Sequence, residues 1–180
     1  MLQAKTSVDH FEYLWDTHHN LTIEDVQHSF NSGAFQDFHP EESLFRSGSH
    51  TIWLRIDLSS YFHEGNQLLL VDNAALYQVA LFIEIEGQII QKMYAGPGYS
   101  VQEDFLANRT IHFPLRRSQK NEVRGPIIGW MRIANDEMLS FPLEVWEQEA
   151  FTERDDDTIL LIGFVVTILL VSLIAYLFLF

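Results

Sequence analysis

Two tripeptides carry the residue types best suited to hold a small polar molecule. Trp53-Leu54-Arg55 and Trp130-Met131-Arg132 each set a tryptophan and an arginine two positions apart. On a strand that spacing puts both on one face and sends the aliphatic residue between them to the other. Glu144 and Trp146 repeat the spacing with an acid. An aromatic plane beside charged hydrogen-bonding groups is what sugar recognition needs, since a pyranose offers an apolar C–H face and a ring of hydroxyls. Trp53, Arg55, Trp130, Arg132, Glu144 and Trp146 are therefore the candidate ligand-binding residues, expected to share a face. The competing reading is structural: the rings fill the sandwich edge or pack under the N-terminal segment, and the two arginines pair with acids.

Other chemistry finds little to stand on. None of the eight histidines falls in an H-x-x-x-H or H-E-x-x-H arrangement, so no metal site is expected. There is no G-x-S-x-G, no phosphate loop and no cysteine, and nothing among the 25 acids selects a catalytic pair. No catalytic residue and no cofactor is assigned, and the chain is read as a non-enzyme.

The elements that must position the candidates follow from periodicity. From Thr51 the pattern has period two, with Ile52, Leu54, Ile56 and Leu58 on one face and Trp53, Arg55 and Asp57 on the other. Similar runs recur at 67–72, 78–86, 88–94, 109–115, 127–133 and 140–146, separated by turn residues such as Gly87, Gly96-Pro97-Gly98 and Gly125-Pro126. Glu86-Gly87 is the tightest hairpin signal. In the last run Phe141, Leu143 and Val145 point inward, leaving Glu144 and Trp146 opposite. Seven short strands with no interleaved helices predict an antiparallel β-sandwich. The first 50 residues are polar and mixed, with a helix start at Thr22-Ile23-Glu24-Asp25 and a short helix to about Phe30.

Charge divides the chain in two. The net charge of −14 belongs wholly to residues 1–157, because nothing after Asp157 is charged. So acidic a surface repels phosphate backbones, and nucleic acid is not a partner. Residues 158–180 hold Leu, Ile, Val or Phe at 17 of 23 positions. As a helix they would reach about 34 Å, against ~30 Å of bilayer hydrocarbon, and insertion would be favoured by up to about 5–10 kcal/mol. The expected organisation is a β-sandwich domain over 1–150, an acidic juxtamembrane linker over 151–157 and a transmembrane helix over 158–180. Met1-Leu2-Gln3-Ala4-Lys5 lacks the apolar stretch of a signal peptide, so a signal is expected to have preceded it.

One basic island interrupts the acidity. Arg109, Arg116, Arg117, Lys120, Arg124 and Arg132 against Glu122 give residues 105–135 a charge of +5. If the strand 127–133 pairs with the strand ending at Trp146, the loop holding Arg116, Arg117, Lys120 and Arg124 lies near the membrane. There its cations could meet anionic headgroups or acidic loops of further helices. The alternative is a solvated loop balancing nearby acids.

Taken in order, Trp53-Leu54-Arg55, Leu70-Val71-Asp72-Asn73 leading into Val79-Ala80-Leu81-Phe82, Arg109 to Phe113-Pro114-Leu115, Trp130-Met131-Arg132 and Phe141-Pro142-Leu143-Glu144-Val145-Trp146 with Phe151 resemble one family. It is the type-2 extracellular domain of bacterial seven-transmembrane receptors with diverse intracellular signalling modules. Tyr176-Leu177-Phe178-Leu179-Phe180 looks like the end of that family's first span; Ala74 and Ala175 depart from its pattern. The resemblance implies a jelly-roll-like domain, likened to carbohydrate-binding modules, set outside the bacterial inner membrane with residues 1–157 on the periplasmic side. It also implies a cytoplasmic output such as a diguanylate cyclase or histidine kinase. The implied role is a ligand-sensing ectodomain whose partners are a saccharide or other small ligand, the lipid bilayer, the receptor's remaining helices and a second copy of the chain. The alternative is a single-span tether whose sandwich binds a partner protein.

Overall fold

The computed structural model describes residues 5–38, 50–62, 66–73, 76–99, 111–115, 125–135 and 142–179, with side chains left aside at 50, 154–163, 173, 175 and 177–179. The described strands are β1 (Lys5–Ser7), β2 (Glu12–Asp16), β3 (Gln36–Asp37), β4 (His50–Asp57), β5 (Gln67–Val71), β6 (Gln78–Ile85), β7 (Gln88–Ala95), β8 (Ile111–Leu115), β9 (Ile127–Asn135) and β10 (Leu143–Glu147). One helix, α1 (Ile23–Asn31), lies between β2 and β3, and a second, α2 (Gln148–Leu179), follows β10.

The strands form two sheets, a four-stranded one in the order β1-β10-β5-β8 and a six-stranded one in the order β3-β2-β4-β9-β6-β7. Alternation explains the interior between them. Ile52, Leu54 and Ile56 of β4, Val79, Leu81 and Ile83 of β6, Met131 and Ile133 of β9, Leu69 and Val71 of β5, Phe113 of β8 and Leu143 and Val145 of β10 belong to one buried cluster. The mainly β, antiparallel sandwich expected from periodicity is the architecture observed, with each of the seven expected strands represented. The three short strands at the N-terminal end were not anticipated. Phe11, Tyr13 and Trp15 alternate with Glu12, Leu14 and Asp16, a period-two signal inside a stretch that reads as polar.

The expected pairing of the 127–133 strand with the last strand does not occur. In the structure β9 lies between β4 and β6, whereas β10 lies in the other sheet between β1 and β5. The reason is that β9 is apolar on both faces, with Ile127, Ile128, Trp130, Met131 and Ile133 all buried, which requires the middle of a sheet covered on both sides. With β9 and β10 in different sheets, no strand pairing sets the 116–125 loop near a membrane. Arg116, Arg117, Lys120 and Arg124 themselves lie outside the described residues, as does Phe141.

The chain divides into two compact units, 1–146 and 147–180. The second contains α2, 32 residues long, which takes in residues 151–157 as helix where a linker was expected. Only Glu153 and Arg154 in that stretch are good helix formers, and it is helical as part of one continuous helix that runs on into the apolar segment. Its described side chains over 164–172 are exposed all round the helix and are mostly apolar. Among the described residues no helix is long and apolar enough to cross a membrane, so the case for a span rests on the sequence of 158–180.

Two glycines mark where the backbone leaves no choice. Gly87, with φ +78, follows Glu86 at φ +51 in the two-residue turn between β6 and β7, and a Cβ there would meet nothing within 4 Å. Gly96, with φ +106, passes so close to Tyr77 that a Cβ would sit 2.6 Å from its carbonyl oxygen. Gly87→Ala is expected to cost about 1–2 kcal/mol, the strain of a left-handed L-residue. Gly96→Ala is expected to cost more, because the backbone must also move. Urea titration followed by tryptophan fluorescence measures both; equal losses would mean that the close approach at Gly96 has no energetic weight.

Candidate functional site

The outer face of the six-stranded sheet is organised in cross-strand rows. One row runs Glu12, Arg55, Trp130, Phe82, Lys92, and the next runs Leu14, Trp53, Arg132, Ala80, Tyr94. Sequence parity thus brings Trp53, Arg55, Trp130 and Arg132 together as adjacent pairs, with Trp53 opposite Arg132 and Arg55 opposite Trp130.

Helix α1 lies on this face. Its start is set by Thr22, whose hydroxyl accepts from the Asp25 N–H at 3.3 Å while the Asp25 carboxylate accepts from the Thr22 N–H at 3.0 Å. The connection from β2 is held by the buried Asp16 carboxylate, which accepts from Asn20 N at 3.2 Å and Leu21 N at 3.0 Å. Helical spacing then turns Ile23, Val26 and Phe30 onto the sheet, where they join Trp53, Ala80, Phe82, Ile128 and Trp130 in a second apolar cluster. Phe30, Phe35 and Trp130 meet edge to face, with all three centroid separations 5.7 Å.

Burial changes what the tryptophans can do. Trp53 is 1% exposed and Trp130 2%, so neither offers a ring face to a ligand. Their role is the structural one, packing beneath the N-terminal segment. Trp130 Nε1 donates to Glu84 Oε2 at 2.6 Å, and Gln27 Nε2 of α1 donates to the same oxygen at 2.6 Å. Arg55 Nη1 bonds Glu12 Oε2 at 2.6 Å, and its guanidinium carbon lies 4.2 Å from the Phe30 ring centroid.

Between α1 and the sheet an open cleft of about 370 Å³ remains, lined by Gln27, Phe30, Asn31, Arg55, Glu84, Gly87, Ile128 and Trp130. Its floor is apolar, while Arg55, Glu84 and two side-chain amides supply a cation, an anion and neutral donors and acceptors. Such a set can orient a small polyhydroxylated molecule. Among the described residues no group of three His, Asp or Glu could hold a metal ion.

Beside the cleft the face continues as a row of rings. Phe82 stacks on Trp53 at 5.8 Å and meets Tyr94 edge-on at 6.2 Å, and Tyr94 lies 5.1 Å from Tyr99. Burial pushes the Tyr99 hydroxyl above its ordinary value, opposed by the nearby charge of Arg132 and its hydrogen bond.

Glu144 and Trp146 are elsewhere. They belong to β10 of the four-stranded sheet, where Trp146 Nε1 donates to Glu144 Oε2 at 2.8 Å and Lys5 pairs with Glu144 at 2.6 Å. The six candidates therefore do not share a face. Parity fixes which side of a strand a residue occupies; it does not fix which sheet the strand joins. Sequence reading also missed Glu84, Gln27 and Asn31. Glu84 had a signal, the one acid in the otherwise apolar run from Val79 to Ile85 and on the same parity as Phe82.

Glu84→Ala would strand the Trp130 N–H and release α1, and a cost of about 1–3 kcal/mol is expected from denaturant midpoints, with Glu84→Gln milder because it keeps an acceptor. A second expectation concerns pH. The Asp25 carboxyl is held below its ordinary 3.8 first by the Thr22 backbone N–H and then by the Thr22 hydroxyl, with desolvation opposing them and His28 adding a lesser lowering effect. A depressed folded value contributes stability above the unfolded value and loses it as pH falls through the folded one. Asp25→Ala should therefore melt below the parent near neutral pH, with the charge-dependent part of the gap closing under strongly acid conditions. A gap constant with pH would show that the carboxylate charge plays no part.

No curated protein matches the chain. Among solved structures, a chain from work on the promiscuous specificity of carbohydrate-binding modules of the beta-sandwich superfamily aligns at 11% identity with a TM-score of 0.33, over 78% of this chain and 53% of that one. This chain thus spans about half of that protein, and the overlay is too loose to add to the strand pairing already described. The family model described as 7TMR-DISM extracellular 2 covers residues 8–147, from the end of β1 to the end of β10. It is a family of sensor domains carried outside the membrane by seven-transmembrane receptors, no catalytic family is indicated, and the chain belongs to it.

Proposed function

We propose that residues 1–150 are the periplasmic ligand-sensing domain of a bacterial inner-membrane receptor, and that the cleft between α1 and the six-stranded sheet takes a small saccharide-like ligand. The observation that carries the site is the cleft itself: about 370 Å³, apolar beneath and rimmed by Gln27, Asn31, Arg55 and Glu84. That volume is at the small end of the range for ligand pockets, roughly 300–1,000 Å³, which favours one sugar ring over a chain.

Residues 158–180 form the membrane span in this reading, with the helical 151–157 stretch leading into it. The described part, exposed and apolar on every side, is suited to lipid and poorly suited to water. The lipid bilayer and the receptor's other helices are then its partners, and a second copy of the chain is a further one. A ligand signals only through unequal affinity for two receptor states, and one that touches both α1 and the sheet gains or loses contacts whenever α1 shifts.

The test is calorimetric titration of the chain in nanodiscs against monosaccharides and other small polar compounds. A ligand of the cleft should lose at least tenfold in affinity with Asn31→Ala and with Glu84→Gln, while Ser60→Ala, outside the cleft, changes nothing. Equal binding by parent and both cleft variants, or no binding of any compound, would overturn the site.

A further inference from the structure

Beside the cleft, the same sheet face carries cations that the cleft does not use. Arg132 is half-buried on β9, a strand with neighbours on both sides. Its outward neighbours across the sheet and along its strand are Trp53, Ala80, Trp130 and Ala134, none of them charged. Among the described residues the ion pairs are Lys5 with Glu144 and Arg55 with Glu12, and the partner of Arg132 is the neutral Tyr99 hydroxyl, not a carboxylate. In a chain with 25 acids and 11 bases, a partly desolvated arginine without an acid is costly and calls for a reason.

Its surroundings supply one. Lys92, with no ion pair among the described residues, stands one row along on β7, with its ammonium 6.0 Å from the Phe82 ring centroid. Between the two cations Tyr94 is 44% exposed, yet it is fixed from below by Phe82 and from the side by Tyr99. The outward acids nearest by register are Glu84 for Lys92 and Glu12 and Asp16 for Arg132, and all three are engaged: Glu84 by Trp130 and Gln27, Glu12 by Arg55, and Asp16 by the Asn20 and Leu21 N–H groups. Lys92 alone is the charge an edge strand uses against aggregation; Arg132, on an inner strand, has no such use.

We infer that Arg132, Lys92 and the exposed ring of Tyr94 form a binding site for an acidic saccharide, a pyranose bearing a carboxylate. The ring's C–H face stacks on Tyr94, Arg132 takes the carboxylate through its paired donors, and Lys92 adds a point charge. Long polyanions are disfavoured by the overall charge of −14, so the ligand is short.

The site is separate from the cleft, and the test keeps the two apart. The chain in nanodiscs of zwitterionic lipid is titrated with trigalacturonate, maltotriose and inorganic sulfate. Trigalacturonate should bind, weaken as salt is raised, and lose at least tenfold with Arg132→Gln, Lys92→Gln or Tyr94→Ala, while Asn31→Ala, which alters only the cleft, leaves it unchanged. Maltotriose and sulfate should each bind at least tenfold more weakly. Maltotriose binding as tightly would remove the anionic part of the proposal, and sulfate binding as tightly would remove the ring. No binding of trigalacturonate, or binding indifferent to Lys92→Gln, an exposed position whose change leaves the fold intact, would overturn it altogether.

Discussion

Trp130 has to be buried and still find an acceptor for its indole N–H, and much of the architecture follows from that requirement. It lies on β9, whose other face already belongs to the core between the sheets. Covering Trp130 therefore takes a third layer, supplied by α1 and by Phe35. The N–H is satisfied by Glu84, two residues beyond Phe82, which is the cross-strand partner of Trp130. A half-buried carboxylate needs more than one donor, and Gln27 of α1 provides the second. One indole thus ties the helix to the sheet through apolar contact and through a shared acceptor, and leaves beside them the cleft in which Arg55 and Glu84 face a common space.

This explains why the strands were legible in the sequence and the site only in part. Period-two alternation records which residues avoid water, so β4 to β10 could be read directly, and the cap at Thr22 located α1. The tryptophan and arginine pairs were correctly placed on one side of β4 and β9. Alternation is silent on whether that side faces solvent, because a third layer covers it, and the covering segment looks polar when read alone. Phe35 stands among polar neighbours, and α1 turns only Ile23, Val26 and Phe30 inward. Sheet membership was illegible for a similar reason. Glu144 and Trp146 have the same local pattern as Arg55 and Trp53, and only the long-range pairing of β10 with β1 and β5 separates them.

The two outer faces differ in consequence. On the four-stranded sheet, Lys5, Glu144 and Trp146 interact with one another and serve the edge of the sandwich. On the six-stranded sheet the polar groups sit on a bed of rings whose own positions are locked by packing, as a precise binding surface requires. Rigidity there comes from strands β4, β9 and β6, buried on both faces. The third layer, α1, is a nine-residue helix too short to be stable by itself and is held by a few side chains and its capping box.

That contrast sets what a ligand in the cleft can accomplish. Contacts to Gln27 or Asn31 on one side and to Arg55 or Glu84 on the other form together only when α1 is seated, so occupancy favours the seated helix. Each such hydrogen bond contributes about 0.5–1.5 kcal/mol net, or roughly 1.5–3 where a charge takes part. Reversing an equilibrium from 1:99 to 99:1 requires about 5.5 kcal/mol of differential affinity. Two or three contacts unique to the seated state approach that figure only if nearly all of their energy is withheld from the other state. A sensor built on this cleft must therefore keep its two states nearly balanced without ligand. A nine-residue helix seated by three apolar side chains, a cap and one shared carboxylate comes nearer to that balance than a longer helix with a broader apolar face, which so small a ligand could not move.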